Sequence, residues 1–171
     1  ANKRHSGRYR IASFCVAIFF FMVLVPILYL LVGRFVNQWL TFSCPRNIEF
    51  ILAGLSGIIG PLILLWSVWT QWTVGHGGPV PVVAPTKKLI TCGPYALCRN
   101  PIYFGGFFYV FAFGLVFGNL SIAVICIVLE AMIGIAYLKG IEEKELLLRF
   151  GEEYQCYKER TPFLIPRFWK R

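Results

Sequence analysis

The chain has 171 residues, of which 57% are hydrophobic and 17% aromatic, while only 15% are charged. A soluble domain carries about 25% charged residues, so a mean hydropathy of +0.65 excludes an ordinary water-soluble domain and fits a single membrane-embedded domain over 1–171. The net charge of +9, from 17 Lys and Arg against 8 acids, sits beside apolar runs. That placement argues for retention on one face of a bilayer and against nucleic acid as a partner.

All the acidic residues are Glu, so schemes built on Asp-rich motifs are excluded. The cysteines, Cys15, Cys44, Cys92, Cys98, Cys126 and Cys156, form no C-x-x-C pair. They suggest neither a zinc site nor a disulfide framework and read as buried, inert thiols, with no metal expected.

In chain order, Lys3, Arg4, Arg8 and Arg10 precede an uncharged apolar run over about 11–33. This run is longer than a signal-peptide core and reads as a first transmembrane helix, mildly kinked at Pro26. After a short loop broken by Pro45, a second span covers about 48–73. Gly54, Gly57 and Gly60 recur along it at a spacing that lets another helix approach closely. Trp66, Trp69 and Trp72 follow near its end, either as an interfacial belt or as a contact for a lipid substrate.

The longest polar stretch, 74–99, holds Pro79, Pro81, Pro85 and Pro94. Asn100 at the cap and Pro101 at the first helical position mark the third span, about 101–118. Its length gives roughly 26 Å, just short of a full crossing. Gly114 and Gly118 form a small-xxx-small pair, and Asn119 opens a tight hairpin into the fourth span, about 120–138. Glu130 lies near the middle of that span, where a carboxylate must face the bundle, a partner or a cavity, or be protonated.

From Lys139 the chain becomes charged, and Glu142, Leu146, Arg149, Phe150, Glu153 and Tyr157 recur at helical spacing. Thr161-Pro162 ends this amphipathic helix, and the basic, aromatic tail is expected to lie along headgroups. The expected fold is therefore all-α: a polytopic bundle of about four spans with a C-terminal cytoplasmic amphipathic helix. Basic residues mark the arm, the long loop and the tail, so multi-pass insertion with both termini cytoplasmic is expected.

This topology brings two segments to one face, 87–106 and 139–160. One offers Tyr95, Arg99, Asn100 and Tyr103, the other Glu142, Glu143 and Arg149. The start of the third helix is an anion site with Arg99 beside it, and Glu142 or Glu143 can accept hydrogen bonds from ribose hydroxyls or an ammonium group. Such a site suits a zwitterionic, nucleotide-like cofactor. Gly75-His76-Gly77-Gly78 is no dinucleotide loop, because prolines follow at once and no strand precedes it.

The stretch LITCGPYALCRNPIYFGG, a helical hairpin and then IEEKELLLRFGEEYQCYKERTPFLIP together resemble the isoprenylcysteine carboxyl methyltransferase family. They are also similar to the related phospholipid N-methyltransferases. The likeness spans roughly Gly75 to Pro166. It implies a membrane-embedded methyltransferase using S-adenosyl-L-methionine, with S-adenosyl-L-homocysteine as product and no Rossmann domain. By matched position, the cofactor site would include Lys87, Lys88, Leu89, Ile90, Tyr95, Asn100, Pro101, Ile102, Tyr103 and Glu142. Arg99, Asn100 and Tyr103 are the candidates for positioning the reactants, and Trp66, Trp69 and Lys139 for contacting substrate. Asn100 stands where the family usually has His, so that position cannot titrate. The partner would be a membrane lipid or lipidated substrate. A prenylcysteine-like carboxylate comes first as acceptor, a phospholipid amine second, and a small thiol is a further alternative. An NADPH-dependent sterol-type reductase and a non-enzymatic scaffold are competing readings.

Overall fold

The computed structural model describes residues 15–16, 18–42, 44–76 and 85–167. The basic arm with His5, the prolines Pro79 and Pro81, and the last residues of the tail lie outside the described residues, as does the start of the first apolar run. Four helical runs make up the fold, with no strand among the described residues. They are α1 (Phe20–Val36), α2 (Arg46–Thr73), α3 (Pro101–Phe117), and the continuous run Leu120–Arg160, which divides into α4 (Leu120–Tyr137), a π-turn (Leu138–Glu142) and α5 (Glu143–Arg160).

The helices start earlier or end later than the apolar runs that announce them. α1 continues to Val36, one turn past Gly33, and α2 begins at Arg46, whose guanidinium and the Glu49 carboxylate occupy its first turn. Pro26 cannot donate to the carbonyl of Met22, and the opening of α1 widens into a π-turn over Phe20–Leu24. The freed carbonyl is used: Tyr109 of α3 donates its hydroxyl to Met22 O at 2.6 Å.

Close helix approach is set by glycines. An added Cβ at Gly60 would stand 2.9 Å from the carbonyl oxygen of Gly105, so α2 and α3 cross backbone to backbone. Of the three glycines expected to form this face, Gly54 has nothing within 4 Å and Gly57 only approaches Ala112, so the contact is concentrated at Gly60. Gly114 does the same for the α3–α4 hairpin, where a Cβ would fall 2.5 Å from Ala123 Cα.

The hairpin tip is held by polar groups from elsewhere. Asn119 Oδ1 accepts from Ile122 N at 3.0 Å and Glu49 Oε1 accepts from Leu120 N at 2.7 Å. Arg46 donates to the carbonyls of Leu115 and Gly118, and Arg34 to that of Phe117. Several of the unpaired backbone groups that end one helix and begin the next thus find side-chain partners. One small core joins Tyr29 and Leu30 to Val110, Ile122 and Cys126. Glu130 faces inward, against Gly106 and beside Tyr29.

The outside is apolar: Ile58, Leu62, Leu65, Trp69 and Met132 are all at least 60% exposed. A surface of this kind suits lipid, and α2 and the run from Leu120 are long and apolar enough to cross a bilayer. α3 has 17 residues. The thiols are not uniformly buried as expected, since Cys15, Cys92 and Cys156 are exposed and only Cys98 and Cys126 are fully enclosed. The exposed ones sit on turns or outer helix faces, where an apolar sequence context does not ensure burial.

Candidate functional site

The site begins with a turn that favours glycine. Gly93 has φ +60, and a Cβ there would meet Thr70 Oγ1 at 3.2 Å. The short 3₁₀ turn Gly93–Ala96 therefore lies flush against the last turns of α2 and buries Pro94 and Tyr95. From the other side, Tyr157 of α5 donates its hydroxyl to Tyr95 O at 2.6 Å. Gly151, with φ +53, bends α5 ahead of Tyr154 and Tyr157, both of which are buried.

Between α2, the loop 86–95 and α5 lies an open cleft with an enclosed volume of about 60 Å³, well below the roughly 300–1,000 Å³ of preformed small-molecule sites. Leu89, Ile90, Tyr95, Arg99 and Glu142 line it, and so do Gln71, Thr86, Glu145, Leu146, Arg149 and Tyr157.

The cations of the site are engaged within the chain. Arg99 pairs with Glu143, donates Nε to Thr161 O at 3.2 Å and stacks over Phe163 at 5.4 Å. Glu143 also accepts from Lys158 Nζ at 2.8 Å. Arg149 donates to Thr86 O and lies 3.4 Å from Glu145. Glu142 has no hydrogen-bond partner among the described residues. Burial, with the Glu145 and Glu143 carboxylates nearby, pushes its carboxyl up to about 7. The cleft therefore presents carboxylate and phenol to a ligand, and very little free positive charge.

Of the residues expected at a cofactor site, Leu89, Ile90, Tyr95 and Glu142 come together in the cleft. The others are placed apart from it. Lys87 and Lys88 are exposed, with Lys87 N donating to Gly75 O at 2.8 Å. Asn100 occupies the cap position of α3, but its side chain does not cap. It donates Nδ2 to Phe163 O at 2.8 Å. Arg99 N likewise donates to Pro162 O, so the segment 162–163 lies against the residues just before this helix. Pro101 is buried and Ile102 half-buried within α3. Tyr103 packs on Gly134 below the cleft, within electrostatic range of Glu142. Lys139 stacks over Phe163 at 5.2 Å, away from the lining, while Trp66 and Trp69 are exposed on α2. Of Glu142 and Glu143, the second is consumed by Arg99 and Lys158.

Sequence reasoning missed Gln71, Thr86, Glu145, Leu146 and Tyr157 as cleft residues. Leu146 and Tyr157 carried the helical periodicity, so their face was legible though its destination was not. Gln71 offered no signal, since it closes an apolar span among tryptophans.

The sequence model of the phospholipid methyltransferase family matches residues 48–153, from the start of α2 through the bend of α5. The chain belongs to this family. Every lining residue of the cleft except Tyr157 falls inside the matched region. Similar proteins include the nickel-cobalt-cadmium resistance protein NccN of Alcaligenes xylosoxydans xylosoxydans, 32% identical over 48% of this chain and 38% of that protein. Protein-S-isoprenylcysteine O-methyltransferase of Mus musculus is 36% identical over 47% of this chain and 28% of the mouse protein. The Rattus norvegicus protein of the same name matches at the same identity and coverage. The alignments therefore span well under two thirds of these relatives. The family is one of methyltransferases, and the apolar helices agree with membrane residence.

Proposed function

We propose that this chain is an integral-membrane methyltransferase that takes its methyl group from S-adenosyl-L-methionine and gives it to a lipid or other apolar acceptor. A multi-pass arrangement is part of this reading, with α1 to α4 as spans and the cleft at the cytoplasmic face. The observation that carries the reading is the charge of the cleft. Glu142 stands in it with no partner among the described residues, Glu145 lies beside it, and both lining arginines are engaged inside the chain. A cofactor bearing a sulfonium and an ammonium group fits such a lining. NADPH, a polyanion, does not.

When bound, the cofactor supplies an activated methyl group for in-line displacement, a step in which alignment provides much of the rate. The chain's own residues supply that alignment. Glu142 holds positive charge in the cleft. Ile90, Leu89 and Leu146 exclude water from one wall. The Tyr157–Tyr95 bond fixes the floor between α5 and the turn. A carboxylate acceptor needs no strong base, so this reading calls for no catalytic dyad. Among acceptors, a prenylcysteine-like carboxylate ranks first, on the likeness to the isoprenylcysteine enzymes, and a phospholipid amine second.

The test is ligand-dependent thermal unfolding of the purified full chain with S-adenosyl-L-homocysteine and, separately, NADPH. A ligand bound to the folded state at 100 times its dissociation constant adds about 2.7 kcal/mol. Stabilisation by the first ligand alone is expected. Stabilisation by NADPH alone would replace the methyltransferase reading with a reductase one.

A further inference from the structure

Glu130 lies near the centre of α4, and a Cβ on Gly106 of α3 would stand 3.3 Å from its Oε1. The hydroxyl of Tyr29 on α1, a residue only 4% exposed, is turned towards this carboxylate. Among the described residues no Lys, Arg or His pairs with it. An ionisable group at such depth in an apolar bundle is costly, and those that persist mark sites of function. Glu130 is only half-buried, so a group from outside the chain can reach it.

A line of residues joins Glu130 to the cleft. Gly134 comes one turn later on α4, about 6 Å along the helix. The ring of Tyr103 fills the notch that this glycine leaves, since a Cβ there would stand 2.8 Å from Tyr103 Cδ1. Tyr103 is itself half-buried and lies within electrostatic range of Glu142 on one side and of Glu130 and Tyr29 on the other. Polar groups thus continue from the cleft into the bundle, and they comprise phenols and a carboxylate with no cation among them.

We propose that Glu130 takes the proton of the methyl acceptor, with Tyr29 orienting its carboxylate and Tyr103 lining the approach, and that the acceptor is a lipid-soluble N–H or S–H nucleophile. The inference rests on the methyl-donor reading above and adds to it a catalytic residue and an acceptor class. An ammonium or thiol gives its proton to the Glu130 carboxylate, and the electron pair so freed forms the bond to the methyl carbon. The carbon–sulfur bond of the donor breaks, and its electron pair stays on sulfur as a neutral thioether. A carboxylate acceptor has no proton to give and meets like charge at Glu130. The interior of the bundle therefore reverses the order of acceptors that likeness alone suggests.

The experiment measures methyl transfer from S-adenosyl-L-methionine by the full chain in phosphatidylcholine vesicles. The probes are phosphatidylethanolamine, dodecanethiol and N-acetyl-S-farnesyl-L-cysteine, and S-adenosyl-L-homocysteine binding is titrated alongside. Wild type is expected to methylate the amine or the thiol in preference to the carboxylate, and the active probe names the source of the proton. Glu130→Gln keeps the shape of the side chain but takes no proton. It should lower kcat by about 100-fold or more, the range for loss of a general base, with S-adenosyl-L-homocysteine affinity unchanged. Glu130→Asp, which restores a carboxylate, should recover part of the turnover. Retained ligand binding certifies the fold of each variant. Should Glu130→Gln not bind, Tyr29→Phe takes its place, with a smaller loss of kcat expected. Preference for the carboxylate probe, transfer to none of the probes, or undiminished kcat in the variant that binds would overturn the role of Glu130 and leave the methyl-donor site standing. Absence of wild-type S-adenosyl-L-homocysteine binding would bring down the methyl-donor reading itself.

Discussion

The hydroxyl of Tyr157 donates to the backbone carbonyl of Tyr95 at 2.6 Å, tying the far end of α5 to the turn that precedes α3. These residues are 62 positions apart in the chain, and both are buried, at 8% exposure each. Tyr157→Phe keeps the ring and removes the donor, leaving a buried carbonyl unpaired at a cost of about 1–3 kcal/mol. Chemical denaturation should show that loss, and titration should show weaker S-adenosyl-L-homocysteine binding. A variant with unaltered stability and affinity would mean the bond is not part of the site's frame.

The Arg99–Glu143 pair predicts a strong non-additivity. Its side chains are 9% and 13% exposed, and each makes further bonds, Arg99 to Thr161 O and Glu143 to Lys158. Removing one partner of a buried pair strands the other charge and typically costs about 3–5 kcal/mol. Arg99→Met and Glu143→Gln should each destabilise markedly, while the double variant should lose much less than the sum. Simple additivity in the double-mutant cycle would contradict coupling between them.

Glu142 makes the cleft respond to pH. Its carboxyl is raised from 4.5 to about 7 in the folded chain, so the folded state binds the extra proton between those values. Where the folded state binds more protons, stability falls as pH rises. The unliganded protein should therefore lose stability from about pH 4.5 to about pH 7, and Glu142→Gln should flatten that part of the profile. Affinity for S-adenosyl-L-homocysteine should run the other way, strengthening as Glu142 ionises near neutrality. A profile identical in wild type and Glu142→Gln would remove Glu142 from the titrating group.

Gly60 and Gly54 offer an internal comparison on one helix. Gly60→Ala would push a methyl against Gly105 O and Tyr109 N, both at 2.9 Å, whereas Gly54→Ala meets open space. Overpacking of this kind costs about 1–3 kcal/mol, while Ala in an exposed helix interior is favoured over Gly by up to about 1 kcal/mol. Unfolding in detergent should rank Gly54→Ala at or above wild type and Gly60→Ala below it. The reverse order would place the α2–α3 crossing elsewhere.

Glu49 is the anchor of the hairpin tip. It is 4% exposed and bonds both Arg46 and Leu120 N. Glu49→Ala should cost about 1.5–3 kcal/mol, the range for hydrogen bonds to charged groups. Glu49→Gln, which keeps an acceptor for Leu120 N, should recover part of it. Equal losses in the two variants would assign the effect to charge alone.

Much of the helical plan was legible in the sequence for local reasons. Uncharged runs the length of a bilayer, the Asn100-Pro101 start and the Asn119 hairpin are decided by residues near one another, through solvation and backbone geometry. The same local signals overreached where a partner lay far off in the chain. Asn100 has the chemistry of a capping residue, yet its side chain is taken by Phe163 O. Arg99 reads as an anion receptor, yet Glu143 has neutralised it.

The sequence by itself determined an all-helical, lipid-compatible chain with two polar segments, 87–106 and 139–160, and the likeness that the family match then showed. Only the tertiary structure decided which members of those segments stay free for a ligand. Among the described residues it leaves Glu142 unpaired, occupies Glu143, and brings Gln71 from the end of α2 beside Tyr95. The physical reason is that availability is a matter of competition. A side chain's chemistry is written at its own position, but whether its bonds are already spent depends on residues that only folding brings within 3 Å or so.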